Sequence, residues 1–430
     1  MRLRGGKHNL RNIKMKTIWI KEININRNHV EYCLKVSDDL KKYFAPECKM
    51  FVDFEFDISS IPESVLTVPV LSNLMQFAWL FDCLLWVKEV DRTFYACLPR
   101  IKQAFQEMYP DYTFGGSLIA AKIVDNTYPI ETEAVQLFTG GVDATATFLR
   151  IRNTNPVLVD TYGWLTRKNE SSSVLEADRA AIDSFARENH VETVYISSNF
   201  ATFLDVKQVN KEINKKVHNT WWFGFQHSLS FLGVASIVAF YYHARNIYIA
   251  SSYTFEQVVN CVSDPRIDNQ FAVASCTAIH DGYELSRQQK VKAIVDAHIN
   301  DGLNIKLRVC SFREKNCNNC EKCFRTMLAI IAEGGDVNEY GFSITTPFLI
   351  ALKGFLHENV RELDHDHIVF WQNIITRMGE NYDGLFEKEV YDYLKDFDFE
   401  REKKIGLLRY YRVNFFSILK RKLKGVIKRG

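Results

Sequence analysis

The sequence has little proline and glycine for its length, 9 and 20 of 430 residues. Collagen-like and low-complexity chains are rich in one or both, so those classes are excluded. The net charge is only +2, which argues against a protein that binds nucleic acid through bulk positive charge. The N-terminus lacks the apolar segment of a secretory signal peptide. We therefore expect a cytoplasmic protein with reduced thiols.

The sequence also lacks a clear membrane-spanning stretch. Residues 68–87 are apolar but interrupted by Asp82, and we predict a core helix there. Residues 221–242 contain no Asp, Glu, Lys or Arg, and a helix of that length crosses a bilayer of about 30 Å. They do contain Gln226, His227 and three serines, and they lie among alternating strands and helices. We therefore predict a second buried helix and no transmembrane span.

Charge is distributed unevenly along the chain. Residues 401–430 carry eleven Lys or Arg and one Glu, and residues 1–16 carry six basic residues and no acidic one. The part between them is therefore acidic. Basic and apolar residues are interleaved in the C-terminal tail, as in an amphipathic helix that binds an anionic membrane, nucleic acid or an acidic protein surface. We favour docking on the chain's own acidic part or on a partner protein.

Apolar patterning predicts an α/β protein. Residues 17–26 and 117–124 have the alternation of strands, and residues 92–108 have the period of a helix. From about residue 131, short apolar strands alternate with helices, which is typical of a parallel sheet covered on both faces. We predict three units, listed here by range: an N-terminal α+β domain at 1–130, an α/β domain at 131–340 and a helical extension with a basic tail at 341–430.

A glycine loop joins a predicted strand to a predicted helix at Thr139-Gly140-Gly141-Val142-Asp143. Two glycines let the backbone approach an anion, and the helix that follows directs its N-terminal amides toward that anion. Thr139 and Thr145 add hydroxyl groups, and Asp143 suits Mg²⁺ or orientation of the loop. A pyrophosphate fits this chemistry, while a simple strand–helix turn is the alternative. The Gly-Lys-Ser/Thr of a Walker loop and the third glycine of a dinucleotide fingerprint are both missing.

Four of the ten cysteines are clustered near residue 320. Cys310, Cys317, Cys320 and Cys323 have the spacing C-x6-C-x2-C-x2-C. Four thiolates this close in sequence can form a tetrahedral zinc site. A free-thiol cluster and an iron–sulfur site are the alternatives. The fourth cysteine, and the lack of a redox motif, favour structural zinc.

The glycine loop resembles the PP-loop of the ATP pyrophosphatases, Ser-Gly-Gly-x-Asp-Ser followed by Ser or Thr. Gly140, Gly141, Asp143 and Thr145 match this pattern, and Thr139 and Ala144 stand in place of its two serines. The resemblance implies an adenine nucleotide alpha-hydrolase-like fold and cleavage of ATP between its α and β phosphates with Mg²⁺. It also implies nucleotide contacts along the loop from Thr139 to Thr145, including Val142, with catalytic roles for Asp143, Thr139 and Thr145.

Together, the loop and the cysteine cluster resemble the 7-cyano-7-deazaguanine synthases (QueC) over roughly residues 133–335. Asp160-Thr161-Tyr162-Gly163 lies where that family has Tyr-Gly-Gln, with Trp164 in place of Gln, and Cys310-Ser311-Phe312 resembles its Ser-Cys-Tyr. The resemblance implies nucleotide contacts from Asp160 and Tyr162.

The family's substrate segment corresponds to residues 264–271, where only Pro265 and Phe271 coincide. Asp264, Arg266 and Asp268 are substrate-binding candidates there, with a solvated loop as an equal alternative. Arg325, after the last cysteine, has two equal interpretations: a residue that binds a phosphate, or an exposed residue near the start of a helix.

The resemblance implies an extended, divergent family member that acts as an ATP-dependent ligase. Such an enzyme adenylates a carboxylate, here a 7-deazaguanine acid, and couples it to ammonia or to an amine of a partner protein. The product is an amide or a nitrile, and anti-phage defence gene clusters are an implied context. A nucleotide-binding sensor subunit and a PP-loop ligase or thiolation enzyme for another substrate are the alternatives. A homodimer and nucleic-acid binding both stay open.

Overall fold

Eleven strands in the described part of the chain form one sheet. The computed structural model describes residues 15–162, 172–257, 259–310 and 313–427. The strands, in chain order, are β1 (Thr17–Asn26), β2 (His29–Val36), β3 (Lys49–Asp53), β4 (Leu84–Asp91), β5 (Ser117–Val124), β6 (Thr132–Leu137), β7 (Val157–Tyr162), β8 (Thr193–Ser198), β9 (Ala244–Ala250), β10 (Ala272–Val273) and β11 (Cys276–Asp281).

Fourteen α-helices occur within the same ranges and cover the sheet or pack beside it. They are α1 (Glu63–Leu66), α2 (Val68–Phe81), α3 (Arg92–Met108), α4 (Val142–Ile151), α5 (Ser172–Asn189), α6 (Val206–Val217), α7 (His227–Tyr241), α8 (Pro265–Asp268), α9 (Arg287–Asp301), α10 (Glu321–Ala332), α11 (Phe348–Asn359), α12 (His365–Glu380), α13 (Lys388–Leu394) and α14 (Phe399–Ile427). The architecture is therefore α/β, as the sequence predicts.

The sheet contains a doubly wound parallel part. Its full strand order is β10-β11-β9-β6-β7-β8-β3-β2-β1-β4-β5. The neighbours from β11 through β9, β6 and β7 to β8 all pair in parallel. Chain order reverses between β6 and β9, which creates a switch point of the kind where open α/β sheets bind ligands. This part is compatible with an α/β nucleotide-binding fold.

The N-terminal strands extend this same sheet. β3 pairs antiparallel with β8 through Val52 with Ser198 and Asp53 with Ser197. One buried apolar cluster runs from the N-terminal strands and α2 to α7 and the parallel strands. The predicted units at 1–130 and 131–340 are therefore continuous in both sheet and core.

One predicted helix is shorter than expected. Residues 68–87 were interpreted as a single helix, but α2 ends at Phe81 and Asp82 takes a left-handed conformation with φ 48°. β4 then begins at Leu84 and pairs in parallel with β1 and β5. The prediction was wrong because the apolar run combines a buried helix with a buried strand, and a continuous run hides that boundary.

The apolar helix around α7 is a core element, as predicted. Residues Trp222–Tyr241 are long and apolar enough to cross a membrane, but 78% of their 18-residue apolar stretch is buried inside the protein. Its polar groups find internal partners: Gln226 Nε2 donates to Asn73 Oδ1 at 2.8 Å, and Ser230 Oγ donates to the same oxygen at 2.7 Å. A buried polar group that is hydrogen-bonded is typical of a protein core.

The helices from α9 to α13 surround a second core. Phe324 on α10 stacks on Phe355 on α11, with ring centroids 4.6 Å apart, and Trp371 on α12 packs against Phe355. The start of α14 packs on the same unit, because the Arg361 guanidinium lies 4.5 Å from the Tyr410 ring centroid. The helical C-terminal extension predicted from residue 341 is therefore built on the helix that follows the cysteines.

Candidate functional site

A cavity opens at the carboxyl ends of the parallel strands, beside the switch point between β6 and β9. Its volume is about 680 Å³. The glycine loop after β6, the end of β7 and the residues after β9 line it, together with groups from α9, α10 and α12. Ligand pockets in proteins fall in the same range of volume, about 300–1,000 Å³. The sequence-predicted loop thus lies at the position where this fold class binds ligands.

The glycine loop is held under the segment before the cysteines. Gly140 has φ 72°, a conformation that glycine adopts without strain. Its carbonyl accepts a hydrogen bond from the Arg308 backbone N–H at 2.7 Å, and a Cβ at this position would lie 3.2 Å from Arg308 Cβ. Gly141 is the N-cap of α4, so the first amides of that helix are available at the cavity. Thr139 lines the cavity and is exposed to it.

Asp143 lies in the first turn of α4 and pairs with two cations. Its carboxylate is 3.0 Å from Arg287 Nη1 and 3.4 Å from Lys290 Nζ, and Lys290 also donates to the carbonyl of Ser251. Burial alone would raise the pKa of Asp143, but the charges of Arg287, Lys290 and Arg325 outweigh it and lower the pKa. Asp143 is therefore an ionised carboxylate at the start of α4.

A second carboxyl group of the cavity, that of Asp160, has a pKa that is raised and not lowered. Asp160 lies in β7, two residues before its end, and its Oδ1 accepts from Thr161 N at 2.8 Å. Burial, with the nearby charge of Asp178 as a smaller cause, raises the pKa of Asp160 to about 7. Tyr162 also lines the cavity and stacks on Tyr195, with ring centroids 5.6 Å apart. Gly163 and Trp164 lie outside the described residues.

Arg325 lies in the cavity, as one of the two interpretations of this residue expects. Its side chain is 8% exposed, and its Nε is 2.9 Å from Glu321 Oε1. The guanidinium is 4.7 Å from the ring centroid of Phe370 on α12. Burial, then the charge of Arg287, lowers the pKa of Arg325 to about 10, so the group stays cationic at neutral pH.

Other predicted site residues lie away from the cavity wall. Thr145 is 1% exposed, and Ala144 is buried in an apolar cluster with Phe138 and Phe148. Among the described residues these two are not part of the lining. The hydroxyl that Ala144 lacks would thus face apolar side chains. The alanine in place of the family's second serine therefore removes no contact with the cavity.

The predicted substrate segment is occupied by its own contacts. Asp264 caps α8 and binds the guanidinium of Arg266 through its two carboxylate oxygens, at 2.8 and 2.9 Å. Asp268 is fully buried and accepts from Ser228 Oγ at 2.6 Å, with His280 Nδ1 at 2.8 Å. None of Asp264, Arg266 and Asp268 is among the described lining residues of the cavity. Local capping and a buried acid–histidine pair account for them.

The four clustered cysteines come together as predicted. Their sulfur atoms all lie within 4.8 Å of one another, and the sulfurs of Cys317 and Cys323 are 3.8 Å apart. Tetrahedral zinc with Zn–S bonds of about 2.3 Å requires sulfurs about 3.8 Å apart. All ten cysteines are free thiols. The cluster can therefore hold a metal such as zinc, and four sulfur ligands would leave no open coordination position.

Asn316 joins this cysteine knuckle (residues 310–323) to the segment before it. Its Oδ1 accepts from the backbone N–H groups of Val309 and Cys310, at 3.0 and 3.2 Å. Its Nδ2 donates to the carbonyls of Leu307 and Gly341, at 2.8 and 2.9 Å. The knuckle therefore fixes the backbone that carries Arg308 over the glycine loop. Ser311 and Phe312, part of the predicted Ser-Cys-Tyr resemblance, lie outside the described residues.

No protein-family model and no curated protein matches this chain.

Sequence patterns did not indicate four cations at the site, Arg287, Lys290, Arg308 and Lys322. Arg287 and Lys290 lie about one helical turn apart in the first turn of α9. That helix begins with a capping box formed by Ser286 and Gln289. That box is a readable signal for a helix start, and it places both cations on one face. Arg308 had no such signal, because its position depends on a contact with the distant Gly140.

Helix α12 adds a further wall that the sequence did not indicate. Asp364, Asp366, His367 and Phe370 line the cavity. Asp364 caps the helix by accepting from the His367 backbone N–H at 2.9 Å. The C-terminal extension is thus part of the candidate site.

Proposed function

We propose that the protein is an ATP-dependent ligase that adenylates a carboxylate and passes the acyl group to an amine. The supporting observation is the cluster of anion-binding groups at the switch point. A glycine loop, the N-terminus of α4 and the cations Arg287, Arg308 and Arg325 all meet one cavity. That set of groups fits a triphosphate chain, since amides, helix dipole and guanidinium groups all favour phosphate oxygens.

Two features favour cleavage of ATP between the α and β phosphates over simple anion binding. The loop has the PP-loop pattern of enzymes that carry out this reaction, and Asp143 is held ionised at its end. Mg²⁺ bound by Asp143 would neutralise the leaving pyrophosphate. The arginines around it would stabilise charge that develops on the phosphate oxygens, which is the main contribution of a protein to such transfers.

The reaction balances without a redox partner. A carboxylate oxygen of the substrate attacks the α phosphorus, the bond to the bridging oxygen breaks, and pyrophosphate leaves. An amine nitrogen then attacks the acyl carbon of the adenylate, AMP leaves, and the amine loses a proton. An amide results. Where the amine is ammonia, a second ATP would adenylate the oxygen of the primary amide with release of pyrophosphate, and loss of AMP and both N–H protons would give a nitrile.

The cysteine knuckle has a structural role in this proposal. Zinc held by four thiolates would stabilise the fold and position Arg308, because such a site has no open coordination position for substrate. A 7-deazaguanine acid is the first substrate to test, on the strength of the paired loop and cysteine motifs. Ammonia and a protein amino group are the two acceptors to compare, and anti-phage defence is a context for the second.

The test is release of AMP and pyrophosphate from Mg-ATP by the purified protein. It is run with and without 7-carboxy-7-deazaguanine and ammonia. We expect release that depends on the acid and is lost in Asp143→Asn. Thermal denaturation of the variant shows whether it is folded, since the substitution leaves Arg287 and Lys290 without their partner. Bound ATP with no AMP under any condition would reject the ligase and favour a nucleotide sensor.

A further inference from the structure

Arg308 differs from the other cations of the cavity in how its guanidinium is held. Its side chain lines the cavity yet is only 9% exposed. Nε donates to Asp178 Oδ1 at 2.6 Å, and Nη2 donates to the carbonyl of Arg313. Two of the three nitrogens are thus fixed by protein acceptors on one side of the group.

The third nitrogen has no such partner. Nη1 is buried, and among the residues that the structure describes no atom accepts a hydrogen bond from it. A buried donor of a charged group that stays unsatisfied is unfavourable, and such groups are rare in folded proteins. An orphaned guanidinium nitrogen at a cavity wall therefore points to a bound anion.

We propose that Arg308 is a phosphate-binding residue, with Nη1 donating to a phosphate oxygen of the nucleotide held on the glycine loop. The backbone places it there: Arg308 N donates to the Gly140 carbonyl at 2.7 Å, so the residue lies directly on the loop. The inference rests on the proposed nucleotide site, but it does not depend on turnover.

The cysteine knuckle sets the position of Arg308 in this proposal. Asn316 bonds to the backbone on both sides of Arg308, through the Leu307 carbonyl and the Val309 N–H. Cys310, two residues farther along, is part of the sulfur cluster. Metal bound by the cysteines would therefore hold the Arg308 backbone in the position that a contact with a phosphate oxygen needs. The hydrogen bond to Asp178 would keep the guanidinium plane of Arg308 from rotating.

The experiment measures binding of inorganic pyrophosphate and of ATP by titration calorimetry, without a second substrate. It compares the unaltered protein with Arg308→Gln and with Arg313→Gln as a matched control. Arg313 has an exposed side chain in the same segment, so its substitution changes the charge equally without touching the cavity. Loss of one buried charge-assisted hydrogen bond predicts affinity weaker by roughly 10- to 100-fold in Arg308→Gln. Arg313→Gln should bind within about twofold of the unaltered protein.

A second variant and a second condition guard against a fold defect. Arg308→Lys keeps the charge but loses the planar fork, so its affinity should fall between those of the unaltered protein and Arg308→Gln. Zinc content should be the same in all variants. Each variant should still unfold cooperatively, at a lower temperature for Arg308→Gln because Asp178 loses its charged partner. Removal of the metal by a chelator should weaken pyrophosphate binding in the unaltered protein more than in Arg308→Gln.

Two results would overturn the inference. One is equal affinity of Arg308→Gln and the unaltered protein in folded samples, and the other is no binding of pyrophosphate or ATP by the unaltered protein. Loss of binding in Arg308→Gln, with no AMP release by the unaltered protein, would keep the inference and reject the ligase. AMP release with unchanged binding in Arg308→Gln would do the reverse.

Discussion

Asp143 and Asp160 are carboxyl groups of one cavity whose pKa values shift in opposite directions, through neighbouring cations at Asp143 and through burial at Asp160. Arg287 and Lys290 keep Asp143 ionised, while burial near Asp178 raises the pKa of Asp160 to about 7. Two carboxyl groups in one site with pKa values shifted in opposite directions are typical of functional sites. The sequence could name both residues from their motifs. It could not predict that their pKa values shift in opposite directions, because the cations beside Asp143 come from helices distant in sequence and the burial of Asp160 depends on the fold.

Asp160 should make stability depend on pH. Its pKa is raised in the folded protein, so the ionised form is disfavoured there, and folding loses free energy as pH rises from about 4 to 7. Asp160→Asn removes that loss. Urea unfolding at pH 5 and at pH 8 should show the variant gaining stability over the unaltered protein at pH 8 relative to pH 5. An equal difference at both pH values would contradict this.

Asn316 is a single residue on which the knuckle depends. Asn316→Ala would leave two backbone N–H groups and two carbonyls without their side-chain partner. We expect a loss of about 2–3 kcal/mol in the free energy of unfolding, and faster release of metal to a chelating dye. Asn319→Ala, at an exposed position of the same knuckle, is the control and should behave as the unaltered protein does. Similar metal release from both variants would refute the bracing role.

At the scale of the element, segments with a regular apolar period were predicted correctly, and a continuous apolar run was not. The helix predicted at residues 92–108 is α3, and the strand predicted at 117–124 is β5, with the same bounds. Both have a regular period in the sequence. β4 was missed because its residues continue an apolar run that begins in a buried helix, and only Asp82 marks the change.

The contact of α2 with α7 depends on a small polar cluster. Asn73 Oδ1 accepts from both Gln226 and Ser230 inside the apolar core. Asn73→Ala would leave one buried N–H of Gln226 without an acceptor, while Ser230 Oγ can still donate to the Gln226 carbonyl. We therefore expect a loss of about 1–3 kcal/mol in the free energy of unfolding. Ser236→Ala is the control, since Ser236 bonds only within its own helix, to Gly233, and it should cost under about 1 kcal/mol. Denaturant titration compares the two, and equal losses would show that the cluster adds nothing.

At the scale of the whole molecule, the sequence predicted the class of fold but not its continuity. The sequence predicts a domain boundary at residue 130, where its pattern changes. However, β3 pairs with β8, so both parts share one sheet. Such a pairing joins residues far apart in sequence and leaves no local signal. The cavity wall on α12 was not predicted for the same reason, since α12 contacts parts of the chain that are distant in sequence. The sequence had indicated only a separate helical extension there.

The second core should depend on metal more than the sheet does. Cys310 and Cys323 are buried in that core together with the helices from α9 to α13. Removal of metal should therefore speed hydrogen exchange in α10, α11 and α12, while β6, β7 and α7 keep their protection. Mass spectrometry of exchange with and without a chelator measures this. Uniform loss of protection would show that the two cores unfold as one.

The winding of the sheet also sets an order in time. The glycine loop leaves the ribosome early, whereas Arg308, Arg325 and the wall on α12 are synthesised much later. A nascent chain therefore presents the loop before it has the arginines that complete the site. The candidate site becomes complete only when the later part of the chain has been made and has folded over the loop.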